Sequence, residues 1–183
     1  YPFAYLFRIQ RLGREVRATF GDANAPVALW IVEAFEGDPL KEAAGEDRHV
    51  VAFLTSSRLA YRAAVRSRTG AGLVSDIGKE LDSLFGSPKK TSGVLGDPTF
   101  ESRLEVAVPT PQEGAAALTV PLRQFLFQSQ WRGILEVRAG GLVCVMHDRS
   151  GFDPATLDGT IAFIGQLYQA AIAYPHPVTA PPG

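Results

Sequence analysis

One cysteine, one methionine and three histidines in 183 residues leave little of the usual equipment for metal or thiol chemistry. Cys144 lies in an apolar run and has no second cysteine with which to close an intrachain disulfide, so it reads as a small core residue. His49, His147 and His176 are too far apart for local metal-ligand spacing. His147 and Asp148 have the composition of a base with its orienting carboxylate, but neighbours on a strand point to opposite faces. An excess of one charge is also missing. Eighteen basic residues stand against nineteen acidic ones, for a net charge of -1, so no global field draws in nucleic acid or an acidic substrate. No apolar run approaches the roughly 18 residues needed to span a bilayer, and there is no intact signal peptide.

The common catalytic fingerprints are absent too: no G-x-S-x-G elbow, no C-x-x-C, no H-E-x-x-H and no dinucleotide-binding glycine pattern. Gly72 and Gly78 suggest a phosphate loop, yet five residues separate them where that loop has four, and Glu80 follows Lys79 where a hydroxyl is required. The acidic stretch 36–47 carries five carboxylates without calcium-loop spacing. The sequence thus points to a non-enzymatic protein with no cofactor, no metal, no nucleic-acid partner and no identifiable small-molecule substrate.

What is present is strand and helix punctuation. Val16, Ala18 and Phe20 alternate with Glu15, Arg17 and Thr19, and a turn at 21–26 leads into the apolar run 27–32, so residues 14–35 predict a hairpin with a central return strand. Another strand starts at Val50. Leu59, Tyr61, Ala63 and Val65 then alternate with Arg58, Ala60, Arg62, Ala64 and Arg66, a stretch that reads as either strand or helix. Ser75 begins a predicted helix carrying Ile77, Leu81, Leu84 and Phe85. Phe100, Leu104, Val106 and Val108 alternate with Glu101, Arg103 and Glu105, predicting a strand that Pro109 ends.

Thr110-Pro111-Gln112-Glu113 combines an N-cap, a first-turn proline and a capping-box glutamate, which predicts a short helix to Leu118. Pro121 restarts a helix that runs to Trp131. Residues 134–138 and 142–146 flank Gly140-Gly141 as a two-residue hairpin, whose apolar return strand belongs in the middle of a sheet. Asp153-Pro154 opens a last helix with Leu157, Ile161, Ile164, Tyr168 and Ile172 on the face that covers the sheet, and Pro175 stops it. The proline-rich tail 175–183 reads as extended. The expected fold class is α+β, a mostly antiparallel sheet built from hairpins with helices packed on it. The turn-rich stretch 86–96 marks a boundary between an N-terminal half, 1–86, and a C-terminal half, 87–183, unless the two are one continuous domain.

The order Leu59-x-Tyr61-Arg62, Leu84-Phe85-Gly86, Gly96-Asp97-Pro98-x-Phe100-Glu101-x-Arg103-Leu104-x-Val106, Leu122-Arg123-x-Phe125-Leu126 and Leu135-x-Val137-x-x-Gly140-Gly141-Leu142 resembles a group of uncharacterised bacterial proteins. The resemblance covers roughly residues 55–150. It implies an α+β domain whose members occur with or without membrane segments, and it carries no catalytic residue. Leu104 stands where a second phenylalanine is common in that group.

Two features point to a partner. Tyr1, Phe3, Tyr5 and Phe7 are followed at once by Arg8, Arg11 and Arg14, which reads either as an amphipathic first helix packed on the sheet or as aromatics at a membrane interface with arginines on its cytoplasmic side. Tyr1 in place of an initiator methionine suggests that residues precede it. Arg58, Arg62 and Arg66 form a stripe, because a separation of four keeps them on one face in either a strand or a helix. That stripe is either a wet face paired with Glu15, Glu33 or Glu36, or a contact for phosphates, lipid headgroups or an acidic partner. Phe127 and Trp131 add aromatic surface, and aromatic surface rimmed by arginine is a common interface composition. The sequence therefore points to an accessory or scaffold subunit of a larger protein complex, membrane-embedded or not. The alternative is a membrane-peripheral module that binds lipid headgroups or another anion. The expected location is the cytoplasmic side of a membrane, with the soluble cytoplasm as the alternative.

Overall fold

The computed structural model describes residues 9–21, 26–36, 47–68, 95–146 and 154–173. Within them the chain forms β1 (Ile9–Phe20), β2 (Val27–Glu36), β3 (Asp47–Thr55), β4 (Ala63–Ser67), α1 (Pro98–Arg103), β5 (Leu104–Ala107), α2 (Pro111–Ala117), α3 (Val120–Gln128), β6 (Gly133–Arg138), β7 (Gly141–Met146) and α4 (Pro154–Ile172). Every strand pairing is antiparallel, and one sheet runs in the order β1-β2-β3-β7-β6-β4-β5. The fold is α+β. Strands from both sides of the 86–96 stretch hydrogen-bond to each other, β3 with β7 and β4 with both β5 and β6.

The two expected hairpins are β1-β2, closing at Phe20↔Val27, and β6-β7, closing at Arg138↔Gly141. The second turn consists of Ala139 and Gly140, and Gly140 has a φ of 86°. Gly141 is already in β7. Its small size has another use, since a Cβ there would lie 2.7 Å from the Leu54 carbonyl oxygen on β3. β7 is the middle strand of the sheet, as its two apolar faces require.

Period two sorts the strand residues onto two faces. One carries Leu29, Ile31, Leu54, Val65, Leu135, Leu142 and Cys144, which pack in a single core with Leu122 and Leu126 of α3 and with Ile164, Leu167 and Tyr168 of α4. Full enclosure of each such leucine or isoleucine contributes roughly 1.5–3 kcal/mol relative to exposure. The other face has a smaller cluster, including Val51, Ile134, Val143 and Val145, with Trp30 and Phe53 as tilted cross-strand neighbours. Two hydrogen bonds, the first buried and the second partly buried, fix α4. The Ser56 and Tyr168 hydroxyls meet at 2.7 Å, and Thr119 Oγ1, which also caps α3, donates to the Ala170 carbonyl at 2.7 Å.

Three elements differ from the sequence expectation. Residues 98–103 form α1, and the strand begins only at Leu104. The reason is Asp97, whose carboxylate accepts from the Phe100 amide at 3.1 Å while Pro98 occupies the first turn, so local capping wins over alternation. β4 spans only Ala63–Ser67; a turn at Ser57 and Arg58 and irregular chain over 59–62 precede it, so Leu59 and Tyr61 belong to neither a strand nor a helix. Residues 10–13, which one reading of the N-terminus places in an amphipathic first helix, belong to β1, with Arg11 and Leu12 opposite Phe35 and Ala34 of β2. The predicted helix starting at Ser75, the acidic loop at 37–46, the pair His147 and Asp148, and the 175–183 tail lie outside the described residues.

Cys144 is fully buried on β7, and burial pushes its thiol far above the ordinary 9.0. The folded chain keeps this proton at a pH where the unfolded chain releases it, so stability is complete below pH 9 and declines above it. The expected slope from this group is about 1.4 kcal/mol per pH unit. Urea unfolding of the wild type between pH 8.5 and 10.5 should therefore lose stability more steeply than Cys144→Ala; identical slopes would contradict the burial.

Candidate binding cleft

The site is built on the end of α3. Gln130 N–H donates to the Phe127 carbonyl and Trp131 N–H to the Leu126 carbonyl, at 3.2 and 3.0 Å, the paired bonds of a Schellman stop. That motif needs a left-handed residue after the helix, usually glycine, and here Gln130 adopts a φ of 51°. The turn throws Trp131 back against the core beside Leu126. Its ring stacks on Phe163 of α4, with centroids 5.7 Å apart and planes at 11°, and Phe125 meets the same Phe163 ring at 5.1 Å. Gly133 completes the seat, with no room for a side chain between the Val145 carbonyl and the Trp131 ring.

From Ile164 onward α4 is clamped to the sheet, but none of its first ten residues is fully buried. A cleft of about 620 Å³ opens under this first half. Trp131, Phe163, Met146 and Val50 give it apolar walls, and Thr156, Gly159 and Thr160 present the small face of the helix. A Cβ on Gly159 would meet nothing within 4 Å.

On the other side of the Trp131-Arg132 wall lies a second basin of about 220 Å³, reached by Arg68, Arg103 and Arg132. The Arg68 amide and Nε donate to the carbonyls of Arg103 and Glu101, at 3.1 and 3.2 Å. Arg103 lies 4.7 Å above the Phe127 ring, a cation–π contact. None of the three guanidinium groups makes an ion pair with a carboxylate among the described residues. Trp131 lines both spaces, and its Nε1–H is buried and has no acceptor.

The residues singled out from sequence sit elsewhere. Tyr1, Phe3, Tyr5, Phe7 and Arg8 are outside the described residues, and Arg11 is in β1 opposite Phe35. Arg58 is exposed in the turn after β3, its amide bonded to Ser56 Oγ. Arg62 and Arg66 do share a face, but with carboxylates other than those expected. Arg66 pairs with Glu105, and Arg62 lies 3.7 Å from Glu136, which Arg138 also grips with two bonds of 2.6 and 2.7 Å. Glu15 and Glu33 are out of reach because β3, β7 and β6 stand between β2 and β4. Glu33 is instead held by the Arg14 side chain, and Glu15 by Arg17.

Sequence reasoning missed the arginines that remain without an acid. Arg68, Arg103 and Arg132 come from three separate segments, and only the pairing of β4 with β5 and the stop after α3 bring them together. The usable signal was Trp131-Arg132, an aromatic and a cation at a helix end. No family model, curated protein or solved structure matches the chain, so no residue role is transferred to this site from elsewhere.

Proposed function

We propose that this chain is an accessory binding subunit that joins a larger protein assembly by seating an apolar segment of its partner in the cleft beside Trp131. The carrying observation is the cleft itself: an open, aromatic- and methionine-walled space edged by an arginine with no acid, the composition that distinguishes interface centres from ordinary surface. Val120 is the sole large apolar side chain that is strongly exposed among the described residues, so apolar contact on offer is concentrated in the cleft. No helix among those residues is long and apolar enough to cross a membrane.

The test uses Gly159→Leu. The new side chain projects into open space, improves helix propensity by up to about 1 kcal/mol and fills the cleft. The wild-type chain should co-purify with a partner in fixed ratio, and a photo-crosslinking residue at position 159 should join that same partner. Gly159→Leu should lose the partner by at least tenfold with its melting temperature unchanged or raised. A partner retained by Gly159→Leu, or one that never crosslinks from position 159, would remove the reading.

A further inference from the structure

We propose that the basin reached by Arg68, Arg103 and Arg132 is an oxyanion-binding subsite that receives a carboxylate of the partner segment seated in the cleft. The inference rests on the reading above for its partner and on the basin alone for its anion. Three like charges around about 220 Å³ repel one another, and no carboxylate among the described residues forms an ion pair with them. The acids on the surrounding elements are engaged elsewhere. Glu101 Oε1 accepts from the Leu95 and Asp97 amides, Asp97 pairs with Arg123, and Glu105 pairs with Arg66. Glu101 lowers the local positive potential, but its carboxylate faces that loop.

The guanidinium groups are also pre-positioned. Arg68 is pinned through its amide and Nε, which leaves its terminal nitrogens without partners among the described residues, and Arg103 is laid over Phe127. Guanidinium forks match the two oxygens of a carboxylate or phosphate, so ordering them in advance lowers the entropy lost on binding. The Trp131 indole, which lines the basin with 8% of its surface exposed, has a buried Nε1–H with no acceptor. A buried donor without an acceptor is uncommon in a folded protein. Basin and cleft share Gln130, Trp131 and Arg132, so one ligand can place an apolar group in the cleft and an oxyanion in the adjoining basin. The arginine group around Glu136 is a weaker candidate, because Glu136 and Glu105 already neutralise most of it.

The experiment uses Trp30→Phe, which leaves Trp131 as the only tryptophan and its fluorescence as the readout. Inorganic phosphate is titrated against sodium chloride of equal ionic strength. A saturable change should appear with phosphate only and weaken at least tenfold in Arg103→Gln/Arg132→Gln, two exposed positions whose loss leaves the core intact. Two short blocked peptides, a phenylalanine followed by two glutamates and its glutamine counterpart, supply the second arm. The glutamate peptide should bind at least tenfold more tightly, and the double variant should erase the difference.

A response to phosphate no different from chloride, or one unchanged in the double variant, overturns the subsite even if Gly159→Leu abolishes partner binding. Phosphate binding without preference between the peptides keeps the anion site and overturns its assignment to a protein carboxylate. Binding to vesicles containing anionic lipid, with neither peptide bound, moves the oxyanion to a lipid headgroup and overturns that assignment as well.

Discussion

Gly133→Ala should lower the stability of the folded chain by about 3 kcal/mol or more, a loss of roughly 6–12 °C in melting temperature for a domain of this size. Two effects act together. Gly133 has a φ of 153°, a conformation that side chains rarely adopt. A Cβ built there would also lie 2.0 Å from the Val145 carbonyl oxygen and 2.8 Å from the Trp131 ring. The oxygen belongs to the neighbouring strand, so β6 and β7 must part to make room, and the ring must leave its stack on Phe163. Gly140→Ala is the control, because Gly140 has a φ of 86° but open space around it. It should lose only the backbone strain of about 1–2 kcal/mol. Thermal unfolding of both variants decides the matter, and equal losses would mean that the close approach at Gly133 is not what holds Trp131.

Glu136→Gln should cost about 2–3 kcal/mol, although it changes the volume of the side chain hardly at all. Glu136 is fully enclosed in β6, and Arg138 meets it with both ends of its guanidinium fork. Arg138 and Arg62 keep about a third of their side-chain surface in water, at 33% and 37%, which limits the penalty when the charge opposite them disappears. The comparison is Glu15→Gln, whose Arg17 partner is 71% exposed; that pair should be worth less than about 0.5 kcal/mol and fade with added salt. The loss in Glu136→Gln should persist at high salt. Replacing Glu136 and Arg138 together by leucine should recover much of it, since an apolar pair has no charge to desolvate. Urea unfolding at low and high salt measures all four proteins, and a loss below 1 kcal/mol for Glu136→Gln would show that the arginines find water as readily as they found the carboxylate.

The class of fold was legible because it is written in short-range signals. The turn between β6 and β7, the caps of α2 and α3, and the apolar face of α4 each depend on residues fewer than five apart. The error at 98–103 had the same origin: Asp97-Pro98 is a helix start as clear as Thr110-Pro111, but the alternation of Phe100 with Glu101 and Arg103 masked it. The site was legible only in fragments. Phe127 and Trp131 stood out as surplus aromatic surface, whereas the stripe Arg58, Arg62 and Arg66 stood out only because its spacing is regular. Regular spacing reports which residues share a face; it does not report which acids share that face with them. Glu136 and Glu105 reach the stripe through the order of strands in the sheet, and that order follows from no local pattern.

The same strand order sets the sequence of events as the chain folds. β1, β2 and β3 are a simple meander and can close as soon as they are made, but the next neighbour of β3 is β7, with Val51 opposite Val145. Joining partners so distant in the chain requires a large loss of loop entropy before any contact returns it, which places this domain among slow folders. Until the β6-β7 hairpin docks, the long apolar edge of β3 has unpaired amides and carbonyls, a template for strands of other molecules. During synthesis that edge waits for residues 141–146 to be made. The hairpin that seats Trp131 is thus also the piece that covers the open edge of β3.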